Sequence, residues 1–242
     1  MKKLRVDVLL VERGLVESRS MAQKLVMAGQ VRANGQVVPK ASVTYPPDIP
    51  LEVIQGPPYV SRGGKKLAGA FEAFGLDVTD LVCADVGAST GGFTDCLLQN
   101  GASKVYAIDV GKGILHWKMR KDPRVVVMEG SNARYVETLP EPVNFITIDA
   151  SFISLKILLP VIRRWFGPEG RAVVLVKPQF EAGRKEASRR KGVIKDSAIH
   201  RRVLKEIICS ALTEGFEVLG LAVSPITGPK GNIEFLLYLR VQ

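Results

Sequence analysis

From residue 61 to the end of the chain, short apolar runs alternate with segments in which apolar residues recur at helical spacing. Apolar runs of about four to eight residues between such segments are typical of buried strands. We therefore predict an α/β domain with a Rossmann-like, mostly parallel sheet. The Gly-Pro-Lys-Gly turn at 228–231 should let the last strand run antiparallel to its predecessor. The seven predicted strands are 82–86, 104–109, 124–129, 145–149, 172–177, 217–223 and 234–239.

The amino-terminal part of the chain follows a different pattern. Apolar positions within 6–11 and 22–26 predict two short helices, and Asn34-Gly35 between apolar residues predicts a β-hairpin. One more short strand is predicted at 50–54, before Gly-Pro-Pro at 56–58. We therefore predict a small α+β domain over residues 1–58, a linker at about residues 55–60, and the larger domain over residues 61–242.

A glycine-rich turn follows the first strand of the larger domain. The sequence from Asp85 to Thr94, DVGASTGGFT, predicts a strand, a turn and a helix start, an arrangement that brings backbone N–H groups to a ligand. Ser89 replaces the middle glycine of the dinucleotide fingerprint, and Asp109 ends the next strand, where a carboxylate can bind ribose hydroxyls. The looser turn would suit S-adenosylmethionine, which has a ribose and no pyrophosphate. An ordinary turn between strand and helix is the alternative interpretation.

Four polar residues stand where an α/β sheet presents its site. Asp149 and Lys177 follow apolar strands, Glu234 opens the last strand, and Lys66 lies at the start of the first helix of the domain. A lysine that continues a buried strand is costly unless it is paired or functional. Two lysines and two carboxylates could together orient and deprotonate a ribose hydroxyl. A helix cap at Asp149 and a strand-end cation at Lys177 are the structural alternatives.

The charge of the chain favours a polyanionic partner. There are 34 Lys and Arg against 24 Asp and Glu, for a net charge of +10. In the amino-terminal domain the cations form either a solvated face or a phosphate-contacting face. A second basic segment follows the Lys177 motif and is either a solvated loop or an RNA clamp. Its cations are Arg184, Lys185, Arg189, Arg190, Lys191 and Lys195.

Other features exclude several classes of protein. The three cysteines are far apart and form no Cys-x-x-Cys pair, so neither a disulfide framework nor a zinc site is expected. The start of the chain lacks the apolar core of a signal peptide, and no apolar run reaches the length of about 18 residues that spans a membrane. We therefore expect a cytoplasmic protein without a membrane partner or a bound metal.

Residues spread over most of the amino-terminal domain match a known pattern. They are Arg5-Val6-Asp7, Gly14, Ser18-Arg19, Ala22, Gly29-Gln30-Val31, Asn34-Gly35 and Asp48. This pattern closely resembles the RNA-binding domain first seen in ribosomal protein S-four. The resemblance implies that Arg5, Arg19, Lys24 and Arg32 contact RNA.

Four motifs of the larger domain resemble the FtsJ-like ribose 2′-O-methyltransferases. They are DVGASTGGFT from Asp85, IDASFI from Ile148, VKPQFE from Val176 and GNIE ending at Glu234. With an S-four-like domain ahead of it, the chain is similar to the TlyA family of ribosomal RNA cytidine 2′-O-methyltransferases. The resemblance implies a seven-stranded methyltransferase sheet, S-adenosylmethionine as the methyl donor, and ribosomal RNA or ribosomal subunits as the partner.

The same resemblance implies roles for individual residues. A catalytic Lys-Asp-Lys-Glu tetrad falls on Lys66, Asp149, Lys177 and Glu234, with the adjacent Lys65 as a second candidate for the first lysine. The implied donor-binding residues are Asp85, Gly87, Ser89, Gly91, Asp109 and Asn132. Further RNA contacts are expected from Arg62, Arg184, Lys185, Arg189 and Arg190.

Two other functions stay open at this stage. Members of this family have carried a hemolysin label, so one alternative is a membrane-active cytolysin, although no amphipathic or spanning segment supports it. The other is a non-catalytic RNA-binding or ribosome assembly factor, against which the presence of all four tetrad residues argues.

Overall fold

The computed structural model describes residues 3–54, 56–183, 186 and 192–242. The chain divides into two compact units, Met1–Pro58 and Tyr59–Gln242. Four of the predicted RNA contacts, Arg184, Lys185, Arg189 and Arg190, lie outside the described residues.

The amino-terminal unit packs two helices against short strands. The predicted hairpin is present: Asn34 and Gly35 have φ values of 49° and 77°, the left-handed conformation that a tight two-residue hairpin turn requires. Ser18 caps the second helix by accepting a hydrogen bond from the backbone N–H of Met21. The elements are β1 (Leu4–Arg5), α1 (Val6–Glu12), α2 (Arg19–Met27), β2 (Val31–Ala33), β3 (Gln36–Val37), β4 (Thr44–Tyr45) and β5 (Leu51–Val53).

The strands of this unit form two small antiparallel sheets, with the order β3-β2-β5 in one and β1 paired with β4 in the other. The sequence predicted the first sheet in outline but not the second. A two-residue strand such as β1 carries no apolar alternation, so only the long-range partner defines it.

The second unit alternates strands and helices as predicted. Its strands are β6 (Val82–Val86), β7 (Lys104–Asp109), β8 (Val125–Glu129), β9 (Val143–Ile148), β10 (Phe166–Val176), β11 (Phe216–Val223) and β12 (Phe235–Val241). Its helices are α3 (Gly63–Phe74), α4 (Gly92–Gln99), α5 (Trp117–Lys121), α6 (Leu155–Arg163), α7 (Pro178–Glu181) and α8 (Ser197–Thr213), with a 3-10 turn at Ala133–Tyr135.

These strands form one seven-stranded sheet in the order β11-β12-β10-β9-β6-β7-β8. All neighbours are parallel except that β12 runs antiparallel to both β10 and β11, which confirms the predicted methyltransferase variant of the doubly wound fold. The strand order reverses between β6 and β9. Ligands of open α/β sheets bind at the carboxyl ends of the strands beside such a reversal.

One strand differs clearly from its prediction. We expected a strand at 172–177, whereas β10 starts at Phe166 and passes through Gly167, Pro168 and Gly170. Turn-forming residues predict a loop here. In the structure, Phe166 already pairs with Val143 of β9, and the register of the pairing then shifts between Phe166 and Arg171. No described helix has the length and apolar character needed to cross a membrane.

A buried carboxyl group connects the centre of the sheet to the helix that follows β6. Asp85 is fully buried and accepts hydrogen bonds from the hydroxyls of Thr94 on α4, at 2.7 Å, and Thr147 on β9, at 3.1 Å. Burial raises the pKa of Asp85 to about 7, and these two hydrogen bonds only partly oppose that shift. The carboxyl group therefore binds its proton more tightly in the folded chain than in the unfolded one.

This raised pKa makes stability depend on pH in a defined direction. Between about pH 4, where an unfolded Asp titrates, and about pH 7, the free energy of unfolding should fall with rising pH, by at most about 1.4 kcal/mol per unit. Asp85→Asn removes the titrating group and should flatten that part of the profile. Denaturant unfolding of both proteins from pH 4.5 to 7.5 measures the difference, and equal slopes would contradict the assignment.

Candidate active site

The four residues of the predicted tetrad converge at the carboxyl edge of the parallel strands. Lys66 lies on the first turn of α3, Asp149 and Lys177 directly follow β9 and β10, and Glu234 directly precedes β12. Nζ of Lys66 is 2.7 Å from Oε2 of Glu234 and 3.9 Å from Oδ2 of Asp149. Nζ of Lys177 is 2.5 Å from Oδ1 of Asp149. The two lysines thus share one carboxylate.

Helical geometry distinguishes the two adjacent lysines at the start of α3. Lys66 is buried and belongs to the tetrad, whereas Lys65 is exposed. Successive residues on a helix point about 100° apart, so only one of the pair can face Glu234. The structure therefore brings Lys66 rather than Lys65 to Asp149 and Glu234.

Lys177 is held by backbone as well as by charge. Its ammonium group donates to the carbonyl of Ala150 at 3.0 Å and to Oγ of Ser151 at 3.1 Å, in addition to its ion pair with Asp149. It also lies 5.7 Å from the ring centre of Phe180. These partners compensate for the burial of the lysine and fix the chain that follows β9.

Glu234 is fixed from both sides. Its Oε2 accepts from Lys66, and its Oε1 accepts from the side-chain amide of Gln179 at 3.0 Å. A Cβ atom on Gly228 would lie 2.5 Å from Oε1, so a side chain at this position of the turn before β12 would force the carboxylate to shift. The sequence reasoning did not identify Gln179, although it is part of the VKPQFE motif.

The glycine-rich turn lies directly against the tetrad. Gly87 has a φ of +83°, and a Cβ atom there would lie 2.8 Å from the backbone oxygen of Asp149. Ser89 has a φ of +49° and donates its backbone N–H to Oδ2 of Asp109 at 2.8 Å. Gly87 and Ser89 both line the same cleft as the tetrad. The turn, the end of β7 and the tetrad therefore form one continuous edge.

The other predicted donor-binding residues take different positions. Asp109 is half-buried at the end of β7, and the exposed Asn132 caps the 3-10 turn after β8 by accepting from the N–H of Arg134. Gly91 is buried, and a Cβ atom on it would meet the side chains of Leu115 and Met119. Asp85 is enclosed in the core by its threonine partners.

These positions divide the predicted donor residues into two groups. Gly87, Ser89, Asp109 and Asn132 lie at or just beyond the ends of β6, β7 and β8, whereas Asp85 and Gly91 support the turn from beneath. Motif matching treats all of them alike because it does not say which way each residue faces.

The cleft at this edge has a volume of about 1130 Å³. Single-ligand pockets are typically about 300–1,000 Å³, so the cleft has room for a nucleoside cofactor and part of a second nucleotide. Its walls are the start of α3, the turn after β6, residues 149–152, α7 and the turn before β12. The glycines at the close approach fit S-adenosylmethionine, and so does the half-buried Asp109, which lies beside the cleft at the end of β7 and accepts from the backbone N–H groups of Ser89 and Gly111. Among the described residues, no group of three or more His, Cys, Asp or Glu side chains could hold a metal.

Two aromatic side chains at the cleft were not predicted as functional. Phe152 is 90% exposed and has a φ of 64°, a strained conformation for a non-glycine residue. Its ring centre lies 4.9 Å from that of Phe180 on α7. Both line the cleft beside Lys177. From sequence, an apolar residue inside a motif is expected to pack in the core. Only the exposure of Phe152 in the structure distinguishes it from a core residue.

In the amino-terminal unit, a buried carboxylate organises two of the predicted RNA contacts. Asp7 is fully buried and accepts hydrogen bonds from the guanidinium groups of Arg5 at 3.0 Å and Arg19 at 3.2 Å. The bond from Arg5 holds the pKa of Asp7 well below its usual range. Lys24 and Arg32 are exposed on α2 and β2. In the second unit, the exposed Arg62 directly precedes α3 and lines the cleft.

Known proteins share both units of the chain. The family model of the FtsJ-like methyltransferases matches residues 59–241, and that of the S4 domain matches residues 4–48. The chain is 51% identical over 246 residues to "Putative rRNA methyltransferase YqxC" of Bacillus subtilis, with 99% of this chain and 86% of that protein covered.

Two further relatives cover the full chain. One is "16S/23S rRNA (cytidine-2'-O)-methyltransferase TlyA" of Mycobacterium tuberculosis, at 42% identity over 100% of this chain and 91% of that protein. The other is the solved structure "Putative hemolysin from Streptococcus thermophilus", with a TM-score of 0.75 and 46% identity over 100% of this chain and 90% of that one. The chain belongs to the FtsJ-like methyltransferase family, in the TlyA group that carries an S4 domain ahead of the methyltransferase domain.

Proposed function

We propose that this protein is a cytoplasmic ribosomal RNA (cytidine-2′-O)-methyltransferase that uses S-adenosylmethionine. The observation that supports it most strongly is the tetrad, in which Lys66, Asp149, Lys177 and Glu234 meet beside a glycine-rich turn in one cleft. The M. tuberculosis relative carries this activity in its name and matches the chain from end to end.

For the methyl donor, we propose that the carboxyl edge of β6 and β7 is the binding site. Gly87 and Ser89 line the cleft, and Asp109 holds the backbone of the turn through the N–H of Ser89. We assign the remaining acceptor capacity of the half-buried Asp109 carboxylate to the ribose hydroxyls of the donor. Asn132, after the next strand, is exposed and could contact the adenine. Bound S-adenosylmethionine supplies a methyl group already activated by the sulfonium.

The tetrad then acts on the oxygen that receives the methyl group. The amines of Lys66 and Lys177 lie on either side of the Asp149 carboxylate, so both would be close to a ribose hydroxyl placed there. We assign one of them, as the neutral amine, to accept the hydroxyl proton, and the other, as the ammonium ion, to stabilise the negative charge that develops on the oxygen. Asp149 and Glu234 hold the two amines in place, and this positioning lowers the entropy cost of the reaction.

The amino-terminal unit would bind structured RNA through its phosphates and shape. Asp7 fixes two guanidinium groups at the surface, which reduces the entropy lost when they bind phosphate. Arg62 would contribute a cation at the cleft itself. The segment with Arg184, Lys185, Arg189 and Arg190 stays a sequence-based proposal for a further RNA contact.

The two alternative functions are less well supported. The S. thermophilus relative is named a hemolysin, but this chain matches 90% of its length with a TM-score of 0.75. The hemolysin name therefore does not indicate a different architecture. A non-catalytic assembly factor would gain nothing from two buried lysines that face a cleft, since buried ion pairs are weak sources of stability.

The decisive experiment is to map ribose methylation in ribosomal RNA from cells with and without this protein. We expect one or a few cytidines to lose their 2′-O-methyl group when the gene is deleted and to regain it on complementation. Unchanged methylation, together with no transfer to ribosomal subunits by the purified protein, would rule the function out.

The paired lysines of α3 provide a test with a matched control. Lys66→Met should lower the rate of methyl transfer by roughly 100-fold or more, because it removes a charge beside the reacting oxygen. Lys65→Met changes the exposed neighbour and should leave the rate within a few-fold of the original.

Loss of folding is a separate explanation that the experiment must exclude, since Lys66→Met leaves Glu234 buried without its cation. The double variant Lys66→Met/Glu234→Gln restores neutrality and should unfold near the wild-type temperature while staying inactive. Equal activity of the Lys65 and Lys66 variants would contradict the assignment.

The basic surface of the amino-terminal unit can be tested by salt dependence. Arg19→Ala should weaken binding to structured RNA and reduce the slope of log K against log salt by about 1, because one phosphate contact is lost. Arg240→Ala is the control: Arg240 is also half-exposed and paired with a carboxylate, but lies towards the opposite end of β12 from Glu234. Filter binding at salt concentrations from about 50 to about 300 mM distinguishes the two variants. Equal slopes for Arg19→Ala and Arg240→Ala would contradict the assignment.

A further inference from the structure

Gln179 carries an unsatisfied hydrogen-bond acceptor beside the tetrad. Its amide oxygen, Oε1, is buried and has no hydrogen-bond partner among the described residues. Every other buried side-chain nitrogen or oxygen in the described part of the chain has a partner. A buried acceptor without a partner is rare in folded proteins and costs stability, so each example needs an explanation. Gln179 lines the cleft, which makes a bound ligand the natural source of the missing donor.

The orientation of this amide is fixed by its neighbour. Nε2 of Gln179 donates to Oε1 of Glu234 at 3.0 Å, and Lys66 occupies the other oxygen of that carboxylate. Turning the amide over would place its oxygen against a carboxylate oxygen, and both atoms are acceptors. Glu234 therefore determines that Gln179 offers an acceptor, and not a donor, on its remaining side.

The proposed function limits which donor can meet this acceptor, and the inference rests on that function. An internal nucleotide of RNA has a single free ribose hydroxyl, and that group is the one held by the tetrad. Its other hydrogen-bond donors are on the base. Phe180 follows Gln179 on α7 and packs on the exposed ring of Phe152, so a surface on which a base can stack adjoins the acceptor.

We propose that Gln179 is a specificity-determining residue that accepts a hydrogen bond from the exocyclic amino group of the target cytosine. Cytosine has this donor at C4, whereas uracil has an acceptor at the same position. Uridine would place two acceptors against each other at a site shielded from water. Gln179 thus links base identity to the tetrad, because the same amide holds Glu234 in place.

The test compares target bases that differ at C4: cytosine and pyrimidin-2-one differ only there, whereas uracil also carries a hydrogen on N3. Short ribosomal RNA fragments carry cytidine, uridine or the pyrimidin-2-one ribonucleoside at the mapped target position, and kcat/KM for methyl transfer is measured on each. The wild-type protein should prefer cytidine over pyrimidin-2-one by roughly tenfold or more. Gln179→Met keeps the length of the side chain and removes the acceptor, so this preference should fall close to one.

The ratio separates specificity from a structural role. Any loosening of Glu234 in Gln179→Met lowers all three rates by the same factor and cancels in the ratio. Phe180→Leu, on the same helix, should lower the three rates together without changing the ratio.

Two outcomes would overturn the proposal. One is a cytidine preference that persists in Gln179→Met; a raised KM for S-adenosylmethionine in the same variant would then place the acceptor against the methyl donor. The other is a wild-type protein that does not distinguish cytidine from pyrimidin-2-one. If the wild-type protein transfers methyl groups neither to ribosomal subunits nor to any of the three RNAs, the proposed function itself fails, and this inference fails with it.

Discussion

The architecture of the cleft depends on one shared carboxylate, that of Asp149. Two ammonium groups approach it, and a second carboxylate, Glu234, neutralises the remaining charge. Charges removed from water must be paired, and a buried pair that loses one member costs about 3–5 kcal/mol. The ends of β9 and β10 and the start of α3 therefore have little freedom to move relative to each other. A site that must place a sugar oxygen accurately benefits from this rigidity.

The glycine-rich turn is held to the same point by sterics rather than charge. Gly87 passes so close to the backbone of Asp149 that no side chain fits between them. Beneath the turn, the buried carboxyl group of Asp85 joins α4 to β9 through two threonine hydroxyls. The end of β9 at Asp149 therefore positions both parts of the proposed site. One part is the surface that would bind the methyl donor, and the other is the set of groups that would act on the methyl acceptor.

The amino-terminal unit uses a buried carboxylate in a comparable way. Asp7 has no direct access to solvent, yet it holds the guanidinium groups of Arg5 and Arg19 at the surface. In both units a carboxylate holds two cations in place, at the surface in the amino-terminal unit and at the cleft in the second unit. Charge counts along the sequence identify such cations but cannot show that they are arranged in advance.

The sequence alone determined the class of the fold and the order of its elements, and it predicted Asp149, Lys177 and Glu234 as tetrad residues, because apolar periodicity and long local motifs are properties of neighbouring residues. It could not determine whether Lys65 or Lys66 faces the site, since two adjacent lysines are equivalent until a helix has a buried side. Nor could it show that Asp85 is enclosed, that Phe152 is exposed, or that Glu234 fixes the amide of Gln179. Each of these depends on contacts between residues far apart in the chain, and only the tertiary structure brings those residues together.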